Sequence, residues 1–178
     1  MNKHYLITVS GLVGAGKTTV AKYLAKKLGA ALFSTDEVRQ QLIPKQKYLV
    51  FGKTRKKSYT RQEKNVVYNA ISLATKHLLS YTDVVIDGTF DLNRYFLEAR
   101  KIANRKKARF EIIECHVDID VAKKRIDRRF KKKKDASKAN WHIYKLVKKK
   151  YQGVKLPHLK LDTGQNWRKE LNKWIKKL

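Results

Sequence analysis

Residues 11–18 constrain the fold of this chain more than any other feature of the sequence. They read Gly-Leu-Val-Gly-Ala-Gly-Lys-Thr and satisfy the pattern G-x-x-x-x-G-K-[ST]. The segment directly follows Tyr5–Ser10, a run of β-forming residues. It opens Lys17–Leu28, whose apolar residues recur at helical spacing until Gly29. A strand, a glycine-rich turn and a helix in this order predict a loop that binds phosphate groups.

The residues of this 11–18 loop can supply what a nucleoside triphosphate needs. Glycine allows successive backbone N–H groups to point inward, and the N-terminus of the following helix adds a positive dipole end. Lys17 can reach the β- and γ-phosphates, and the Thr18 hydroxyl can ligate the Mg²⁺ that bridges them. The predicted nucleotide-binding residues of the loop are Gly11, Gly14, Ala15, Gly16, Lys17, Thr18 and Thr19.

The rest of the chain alternates short apolar runs with segments of helical periodicity. Further strands are predicted at 31–33, 84–86, 110–117 and 160–162. Helices are predicted at 36–42, 61–79, 93–104, from Asp118 or Asp120 to about 129, 140–151 and 167–178. In the 61–79 helix, the residues expected on or near the buried face are Val66, Val67, Ala70, Leu73, Ala74 and Leu78. This alternation predicts an α/β protein with a parallel sheet covered by helices on both faces.

Composition excludes several other classes. No run of about 18 apolar residues is present to cross a membrane, and the first residues lack the apolar stretch of a secretory signal. Cys115 is the single cysteine and the 5 histidines are scattered, which argues against an internal disulfide and a zinc site. With 178 residues, of which 42% are hydrophobic, we expect one domain over 1–178, in the cytoplasm and without membrane contact.

The charge of the chain is strongly basic. It carries 43 Lys+Arg against 15 Asp+Glu, a formal net charge of +28, and the basic residues cluster at 45–64, 123–134 and 145–150. A coding bias toward lysine would normally raise glutamate as well, and glutamate is scarce here. Such a positive field concentrates polyanions and can bind phosphate backbones without reading sequence. The charge therefore indicates nucleic acid, RNA or DNA, as a partner.

The segments around the 11–18 loop help to choose among nucleotide-binding classes. No N-K-x-D guanine motif or D-x-x-G switch is present, which argues against a GTPase. The strand that ends in Asp87 continues into Gly88 and Thr89, so the water-activating glutamate of a motor-type ATPase is missing. A kinase instead needs a carboxylate at the acceptor hydroxyl, a cation that holds the acceptor and arginines over the transferred phosphoryl group.

Asp36 and Arg39 fit the first two of these requirements. They follow the second predicted strand, whose carboxyl end lies beside the 11–18 loop in a doubly wound sheet. Asp36 can accept the hydroxyl proton, while Arg39 grips an anionic acceptor group. The alternative is that Asp36 only caps the helix and that Arg39 is a solvated side chain.

Arg125 and Arg129 can supply the third requirement. They are one helical turn apart and precede the lysine-rich segment, so both can face one ligand from a closing lid at about 125–140. There they would stabilise charge on the transferred phosphoryl group, and the sequence leaves open which of the two reaches it. The alternative is a solvated basic helix face.

Taken together, these residues resemble the P-loop kinases of the adenylate-kinase-like group over nearly the whole chain. Within that group the sequence is most similar to the 5′-hydroxyl polynucleotide kinase domain of bacteriophage and its relatives. The matching features are the 11–18 loop, Asp36, Arg39, Asp87, Arg94, Arg100 and Arg125. The resemblance implies a three-layer α/β/α fold, a five-stranded parallel sheet in the order 2-3-1-4-5, and ATP with Mg²⁺ as the donor.

The resemblance also implies roles for individual residues. Asp36 would be the general base and Arg39 the contact to the acceptor's phosphate. Asp87 would lie near the metal or the acceptor, and Arg125 on the transferred phosphoryl group. The loop that begins with Asp162 and Thr163 would border the adenine.

The resemblance does not fix the acceptor. An Asp-x-x-Arg pair after the second strand also occurs in adenylylsulfate kinases, chloramphenicol phosphotransferase and zeta-type toxins, whose acceptors are small molecules. The acceptor-side insertion at about 43–60 matches no known pattern, although Tyr48, Phe51 and Tyr59 could stack on bases there. Three hypotheses follow: a polynucleotide 5′-hydroxyl kinase, a small-molecule kinase, or a nucleotide-dependent RNA-binding protein without transfer.

Overall fold

The computed structural model of the chain describes residues 4–43, 60–131 and 140–178. Strands and helices alternate in the predicted order. The strands are β1 (Tyr5–Ser10), β2 (Ala31–Ser34), β3 (Val84–Asp87), β4 (Arg109–His116) and β5 (Leu159–Asp162). The helices are α1 (Lys17–Leu28), α2 (Thr35–Leu42), α3 (Arg61–Leu78), α4 (Asn93–Arg105), α5 (Ile119–Lys131), α6 (Trp141–Lys150) and α7 (Trp167–Ile175).

The five strands form one parallel sheet in the order β2-β3-β1-β4-β5. This confirms the predicted α/β class and the strand order that the resemblance implied. The register aligns the last residues of neighbouring strands, so Ser34 and Val9 both pair with Asp87. Because parallel strands end at the same edge of a sheet, the 11–18 loop, α2 and the loops after β3 and β5 gather at this carboxyl edge.

Helices cover both faces of the sheet and bury two separate cores. Leu6 and Ile86 belong to the core under α3 and α4, whereas their neighbours Ile7 and Val85 belong to the core under α1 and α7. This alternation is the period of two that a strand buried on both faces requires. A third, smaller cluster packs α5 and α6 onto Val13 of the 11–18 loop. The fold therefore has three layers, with the α5–α6 pair seated on the loop.

The expected buried face of α3 is wrong in part. The structure buries Val67, Ile71 and Thr75, whereas Leu73 is 71% and Val66 is 42% exposed. Residues 71 and 73 are about 200° apart around a helix of 3.6 residues per turn, so they cannot share one face. Apolar residues occur on two sides of α3, and its packing on β3 and α4 selects the row 67, 71 and 75.

Most helix boundaries follow local signals that the sequence carries. Thr60 and Glu63 form a reciprocal capping box at the start of α3. Of the two capping candidates for α5, the structure selects Asp118, whose carboxylate accepts a hydrogen bond from the Asp120 N–H at 2.8 Å. The last helix, α7, ends at Ile175, three residues before the predicted end at 178.

Two predicted features lie outside the described residues. These are the acceptor-side insertion, including Tyr48, Phe51 and Tyr59, and the lysine-rich segment at 132–139 within the predicted lid. Among the helices that are described, none has the length and apolar character that would let it cross a membrane.

Candidate active site

The 11–18 loop turns from β1 into α1 in a shape that depends on glycine. Gly14 has a φ of 82°, in the left-handed region that side chains disfavour. A Cβ atom on Gly14 would lie 2.9 Å from the Ala122 carbonyl oxygen of α5. A Cβ atom on Gly11 would lie only 2.2 Å from the carbonyl oxygen of Cys115 in β4. The loop is therefore wedged between β4 and α5, where larger residues do not fit.

Lys17 begins α1 and folds back over the loop. Its ammonium group donates a hydrogen bond to the Leu12 carbonyl oxygen at 2.9 Å. Burial lowers the pKa of Lys17; the negative charges of Asp87 and Asp36 oppose this shift, and the positive charge of Arg129 adds to it. Lys17 therefore sits where two carboxylates and a guanidinium group converge.

Thr18 and Asp87 come together as the predicted metal site requires. The Thr18 hydroxyl donates a hydrogen bond to Oδ2 of Asp87 at 2.6 Å. Asp87 is 4% exposed, and burial raises its pKa, although Lys17 and the Thr18 hydrogen bond oppose the shift. Its second oxygen, Oδ1, is buried and has no hydrogen-bond partner among the described residues.

These two residues fit Mg²⁺. The ion prefers oxygen ligands and usually takes one or two carboxylates, with substrate phosphates and water completing its shell. A buried carboxylate oxygen without a hydrogen-bond partner is the kind of group that a cation would satisfy. Within 4–43, 60–131 and 140–178, no group of three or more His, Cys, Asp or Glu side chains forms a ready-made metal cage.

Asp36 and Arg39 pair on the first turns of α2. Arg39 Nη2 donates a hydrogen bond to Oδ1 of Asp36. The charge of Asp36 also acts on Lys17 and on Asp87, so this carboxylate lies at the loop. The alternative interpretation, a mere helix cap beside a solvated arginine, is wrong: the cap position is Ser34, and the Arg39 side chain is only 15% exposed.

The two arginines of α5 both lie at the 11–18 loop but have different surroundings. Arg125 donates hydrogen bonds to the Thr163 hydroxyl and carbonyl oxygens, each at 2.9 Å, and to the Gly14 carbonyl oxygen at 3.4 Å. Arg129, one turn further along, is close enough to Lys17 to lower its pKa. Arg125 thus ties α5 to the loop, whereas Arg129 faces the lysine that is predicted to bind phosphate.

Thr163, just after β5, hydrogen-bonds to the backbone of the 11–18 loop. Its hydroxyl is buried and donates a hydrogen bond to the Ala15 carbonyl oxygen at 3.0 Å. Asp162 turns the chain after β5 by accepting a hydrogen bond from the Gly164 N–H at 2.8 Å. Thr19 is exposed on the first turn of α1. Contact of Asp162 and Thr163 with an adenine stays a prediction.

The other two arginines of the resemblance lie on α4. Arg94, at its start, is exposed, donates a hydrogen bond to Oδ1 of Asn65 and holds its guanidinium carbon 4.9 Å from the ring centre of Tyr95. Arg100 is exposed further along the helix.

Sequence reasoning missed three polar side chains near Asp36, those of Lys64, Tyr68 and Asp91. The buried carboxylate of Asp91 accepts a hydrogen bond from the Lys64 ammonium at 2.5 Å. The Tyr68 hydroxyl accepts one from the N–H of Phe90, a buried residue with a φ of 48°. Burial raises the pKa of Tyr68, and the charges of Asp91 and Asp36 reinforce that shift. The position of Asp91 just after β3 could have identified it as a candidate site residue, since ligands bind at that edge of the sheet. No local sequence pattern predicts its contact with Lys64 of α3.

The parallel sheet, its strand order and the geometry of the 11–18 loop define a protein with the P-loop kinase fold. Residues 6–154 match the sequence model of a family described as an AAA domain, and the chain belongs to that family. No curated protein sequence matches the chain at a significant level.

Several solved structures share the fold over nearly the whole chain. A candidate kinase from Chloroflexus aurantiacus is 18% identical, with a TM-score of 0.77 and coverage of 99% of this chain and 96% of the other. The APS kinase of Mycobacterium tuberculosis, in complex with AMPPNP and APS, is 18% identical, with a TM-score of 0.68 and coverage of 99% and 98%. Kti12 of Chaetomium thermophilum, in complex with ADP-AlF3, is 15% identical, with a TM-score of 0.68 and coverage of 96% and 97%. At these identities the likeness shows the fold, and the resemblance to polynucleotide kinases in particular stays a prediction.

Proposed function

We propose that this protein is an ATP-dependent kinase that transfers the γ-phosphoryl group of ATP to the 5′-hydroxyl of a polynucleotide. One observation carries the proposal of transfer to a hydroxyl group. The carboxylate of Asp36, held by Arg39, lies where it acts electrostatically on both Lys17 and Asp87. A base at this position can take a proton from an acceptor placed next to the γ-phosphate.

The donor half of the site would bind the triphosphate. Backbone N–H groups of the 11–18 loop and the Lys17 ammonium would hold the β- and γ-phosphates. Thr18 and Asp87 would hold Mg²⁺, which when bound neutralises phosphate charge and polarises the transferred group. Burial disfavours the charged form of Lys17, and bound anionic phosphates would favour it.

The acceptor half would carry out the proton transfer. As the acceptor oxygen forms its bond to the γ-phosphorus, the bond from that phosphorus to the bridging oxygen breaks and ADP leaves with the electron pair. The acceptor proton passes to Asp36. Arg39 would orient Asp36 and contact an anionic group of the acceptor, and Arg129 would stabilise charge on the phosphoryl group in flight. Arg125 would keep α5 seated on the loop through Thr163.

The charge of the chain supports a polynucleotide acceptor. The formal net charge is +28, and Lys123, Lys124 and Arg128 are exposed on α5 beside the site. Exposed lysines also follow one another at the end of α6. Groups of this kind can hold the phosphates that follow a 5′-terminal nucleotide without reading its bases.

A small-molecule acceptor is the second candidate. The observation that favours it is the shared fold with the APS kinase whose structure contains AMPPNP and APS, over 99% of this chain. Such an acceptor would use the same donor residues and the same base. A nucleotide-dependent RNA-binding protein without transfer is the third possibility, which would need the donor site but not Asp36.

An acceptor panel with γ-labelled ATP and Mg²⁺ distinguishes the three. The panel contains 5′-hydroxyl RNA, 5′-hydroxyl DNA, tRNA, nucleosides, sugars, adenylylsulfate and an antibiotic. We expect label on 5′-hydroxyl oligonucleotides, and faster labelling of any small molecule at physiological salt would replace the proposal by the second candidate. Salt-sensitive RNA binding that persists in Lys17→Ala, with no labelled acceptor, would support the third.

The variant Asp36→Asn tests the proposed base, and Glu37→Gln is its matched control. Both changes replace a carboxylate by an amide on the first turn of α2. Glu37, however, is exposed and lies 3.7 Å from Lys22. Loss of a general base lowers the rate by about 10²- to 10⁴-fold, so Asp36→Asn should nearly abolish labelling, whereas Glu37→Gln should retain it. Equal rates in the two variants would reject Asp36 as the base.

A further inference from the structure

The topology of the sheet gathers basic residues at the edge opposite the candidate active site. Helices that connect parallel strands run back along them, so α1, α3, α4 and α7 end near the amino edge of the sheet. The basic residues in their last turns are Lys26 and Lys27, Lys76 and His77, Arg105, and Lys173. The negative dipole ends of the helices account for some of this preference.

Further basic residues at this edge lie outside the helices. Lys106 and Lys107 form the turn from α4 to β4, and Arg109 is the first residue of β4. All three are exposed, and Arg109 donates a hydrogen bond to the Leu178 carbonyl oxygen at 3.0 Å, next to the basic end of α7. The dipole of α4 favours cations at Lys106 and Lys107, which cap its last turn, but it does not explain Arg109 in β4.

Few carboxylates neutralise this edge. Acidic residues of the described helices concentrate in first turns, toward the carboxyl edge, at Asp36, Glu37, Glu63, Asp120 and Glu170. At the amino edge, Asp83 already accepts a hydrogen bond from the Tyr5 N–H at 2.9 Å and lies 3.2 Å from His4. Glu111 is half-buried; burial raises its pKa, and the positive charge of Arg109 opposes that shift, so this carboxylate lies close to Arg109. Basic side chains therefore outnumber the carboxylates at the amino edge.

Lys107 occupies a position that normally belongs to glycine. Its φ is 55°, and the Ala108 N–H donates a hydrogen bond to the Ala103 carbonyl oxygen while the Lys107 N–H donates to that of Asn104. This is the Schellman pattern that ends a helix with a left-handed residue. At the equivalent end of α1 the chain places Gly29. A lysine in this conformation destabilises the fold, which points to a use for its charge.

An exposed aromatic ring lies beside these lysines. Tyr81, in the turn between α3 and β3, is 70% exposed, and its ring centre is 5.4 Å from that of His77. The neighbouring Ser80 accepts a hydrogen bond from the Lys106 ammonium at 2.9 Å. An aromatic face next to cations is the arrangement on which bases of single-stranded nucleic acid stack.

We propose that this amino-edge patch, formed by Lys76, Tyr81, Arg105, Lys106, Lys107 and Arg109, binds single-stranded nucleic acid without sequence preference. The cations contact backbone phosphates, and Tyr81 stacks on one base. An anionic membrane fits less well, because membrane-surface helices present a broad apolar face and the exposed apolar surface in this patch is Tyr81. The patch faces away from Lys17 and Asp36, so its binding depends neither on ATP nor on the acceptor proposed above.

Binding of a fluorescent 20-nucleotide RNA, followed by anisotropy over a series of salt concentrations and without ATP, tests the proposal. The variant Arg105→Gln/Lys106→Gln/Lys107→Gln removes three charges from the patch. The control Lys155→Gln/Lys160→Gln/Lys169→Gln removes three exposed charges that belong neither to the patch nor to the α5 and α6 surface beside the candidate active site. The patch variant should bind about 10- to 100-fold more weakly at 0.1 M salt, with the slope of log K against log salt smaller by about 2. The control variant should lose less RNA affinity than the patch variant.

Two further variants separate binding from a structural role. Tyr81→Ala should weaken RNA binding about 5- to 100-fold without changing the salt slope, because stacking releases no counterions. Lys107→Gly should raise Tm by about 2–8 °C, since glycine suits the left-handed conformation. It should still weaken RNA binding, because it removes a positive charge. A more stable Lys107→Gly with unchanged affinity would count against the proposal.

Three outcomes would overturn the assignment. Equal losses of RNA affinity in the patch variant and in the control variant would mean that only net charge matters. Wild-type affinity in the patch variant would remove the patch from binding altogether. Binding of the wild type to phosphatidylserine vesicles but not to RNA would assign the patch to membranes. Because the assay contains no ATP and needs no transfer, failure here leaves the kinase proposal standing, and failure of the kinase proposal leaves this one testable.

Discussion

Replacement of Gly14 by alanine tests the close packing of the 11–18 loop against α5, and Gly29→Ala is its matched control. Both glycines are left-handed, with φ values of 82° and 64°. They differ in their surroundings, because a Cβ atom on Gly29 would meet nothing within 4 Å. On Gly14 it would lie 2.9 Å from the carbonyl oxygen and 3.2 Å from the Cα and Cβ atoms of Ala122. The pair therefore separates backbone strain from close packing.

The two effects have different magnitudes. A left-handed conformation costs a non-glycine residue about 1–2 kcal/mol, and this is the whole effect expected at Gly29. At Gly14 the clash with α5 adds about 1–3 kcal/mol for overpacking, which gives about 2–5 kcal/mol in all. For a chain of this size each kcal/mol lowers Tm by about 2–4 °C. We expect Gly14→Ala to lower Tm by about 4–20 °C and Gly29→Ala by about 2–8 °C.

Thermal unfolding, combined with calorimetric titration of ATP and Mg²⁺, measures both consequences. Gly29→Ala should bind ATP like the wild type, because α1 ends there, far from Lys17. Gly14→Ala should bind more weakly, since relief of the clash displaces either the loop or α5. Equal losses of Tm with unchanged ATP affinity would refute the contact between the loop and α5 as a determinant of the site.

Three further predictions follow from buried polar groups. Burial raises the pKa of the Cys115 thiol to about 12, so a thiol reagent at pH 8 should modify it only through unfolding, and rapid modification of the native protein would contradict this. Burial raises the pKa of Tyr68 and of Tyr151, so the fold retains their protons above pH about 10 while the unfolded chain loses them. In urea titrations from pH 9 to 11, the free energy of unfolding of the wild type should therefore fall more, or rise less, than that of Tyr68→Phe/Tyr151→Phe, because the lowered pKa of Lys17 acts equally in both proteins. Equal pH slopes in the two proteins would argue against the shifts. Thr163→Val should lower the free energy of unfolding by about 1–3 kcal/mol, because it removes the hydroxyl that hydrogen-bonds to Ala15 and Arg125. Thr75→Val should be neutral or stabilising, since the buried Thr75 hydroxyl has no hydrogen-bond partner among the described residues. Denaturant titration of the two variants checks the contrast, which equal losses would contradict.

Local signals were sufficient to predict the first third of the described fold. The bounds of β1 and α1 agree with those predicted, because glycines at 16 and 29 mark both ends of the helix and the apolar spacing between them has one period. The order of elements followed in the same way from alternation of strands and helices. The strand order, in contrast, came from the resemblance, since local patterns do not say which strands are neighbours.

Tertiary contacts account for what sequence reasoning missed. The apolar residues of α3 lie on two sides, and only packing against β3 and α4 decides that Ile71 is buried and Leu73 exposed. The pair of Lys64 and Asp91 joins residues 27 positions apart, which no local spacing reveals. Arg125 donates hydrogen bonds to the hydroxyl and carbonyl oxygens of Thr163, a contact that depends on how α5 meets the loop after β5. Its place at the phosphoryl group stays a prediction.

Calorimetric titration of ATP into the wild type and into Lys17→Ala, each with Mg²⁺ and with EDTA, tests the central claim most directly. We predict saturable binding to the wild type that Mg²⁺ strengthens, because the Thr18 hydroxyl and the Asp87 carboxylate, whose Oδ1 has no hydrogen-bond partner among the described residues, would serve as its ligands. Lys17→Ala should show little or no heat of binding. Absence of Mg²⁺-assisted affinity for ATP in the wild type, or equal affinity in the two proteins, would contradict the account.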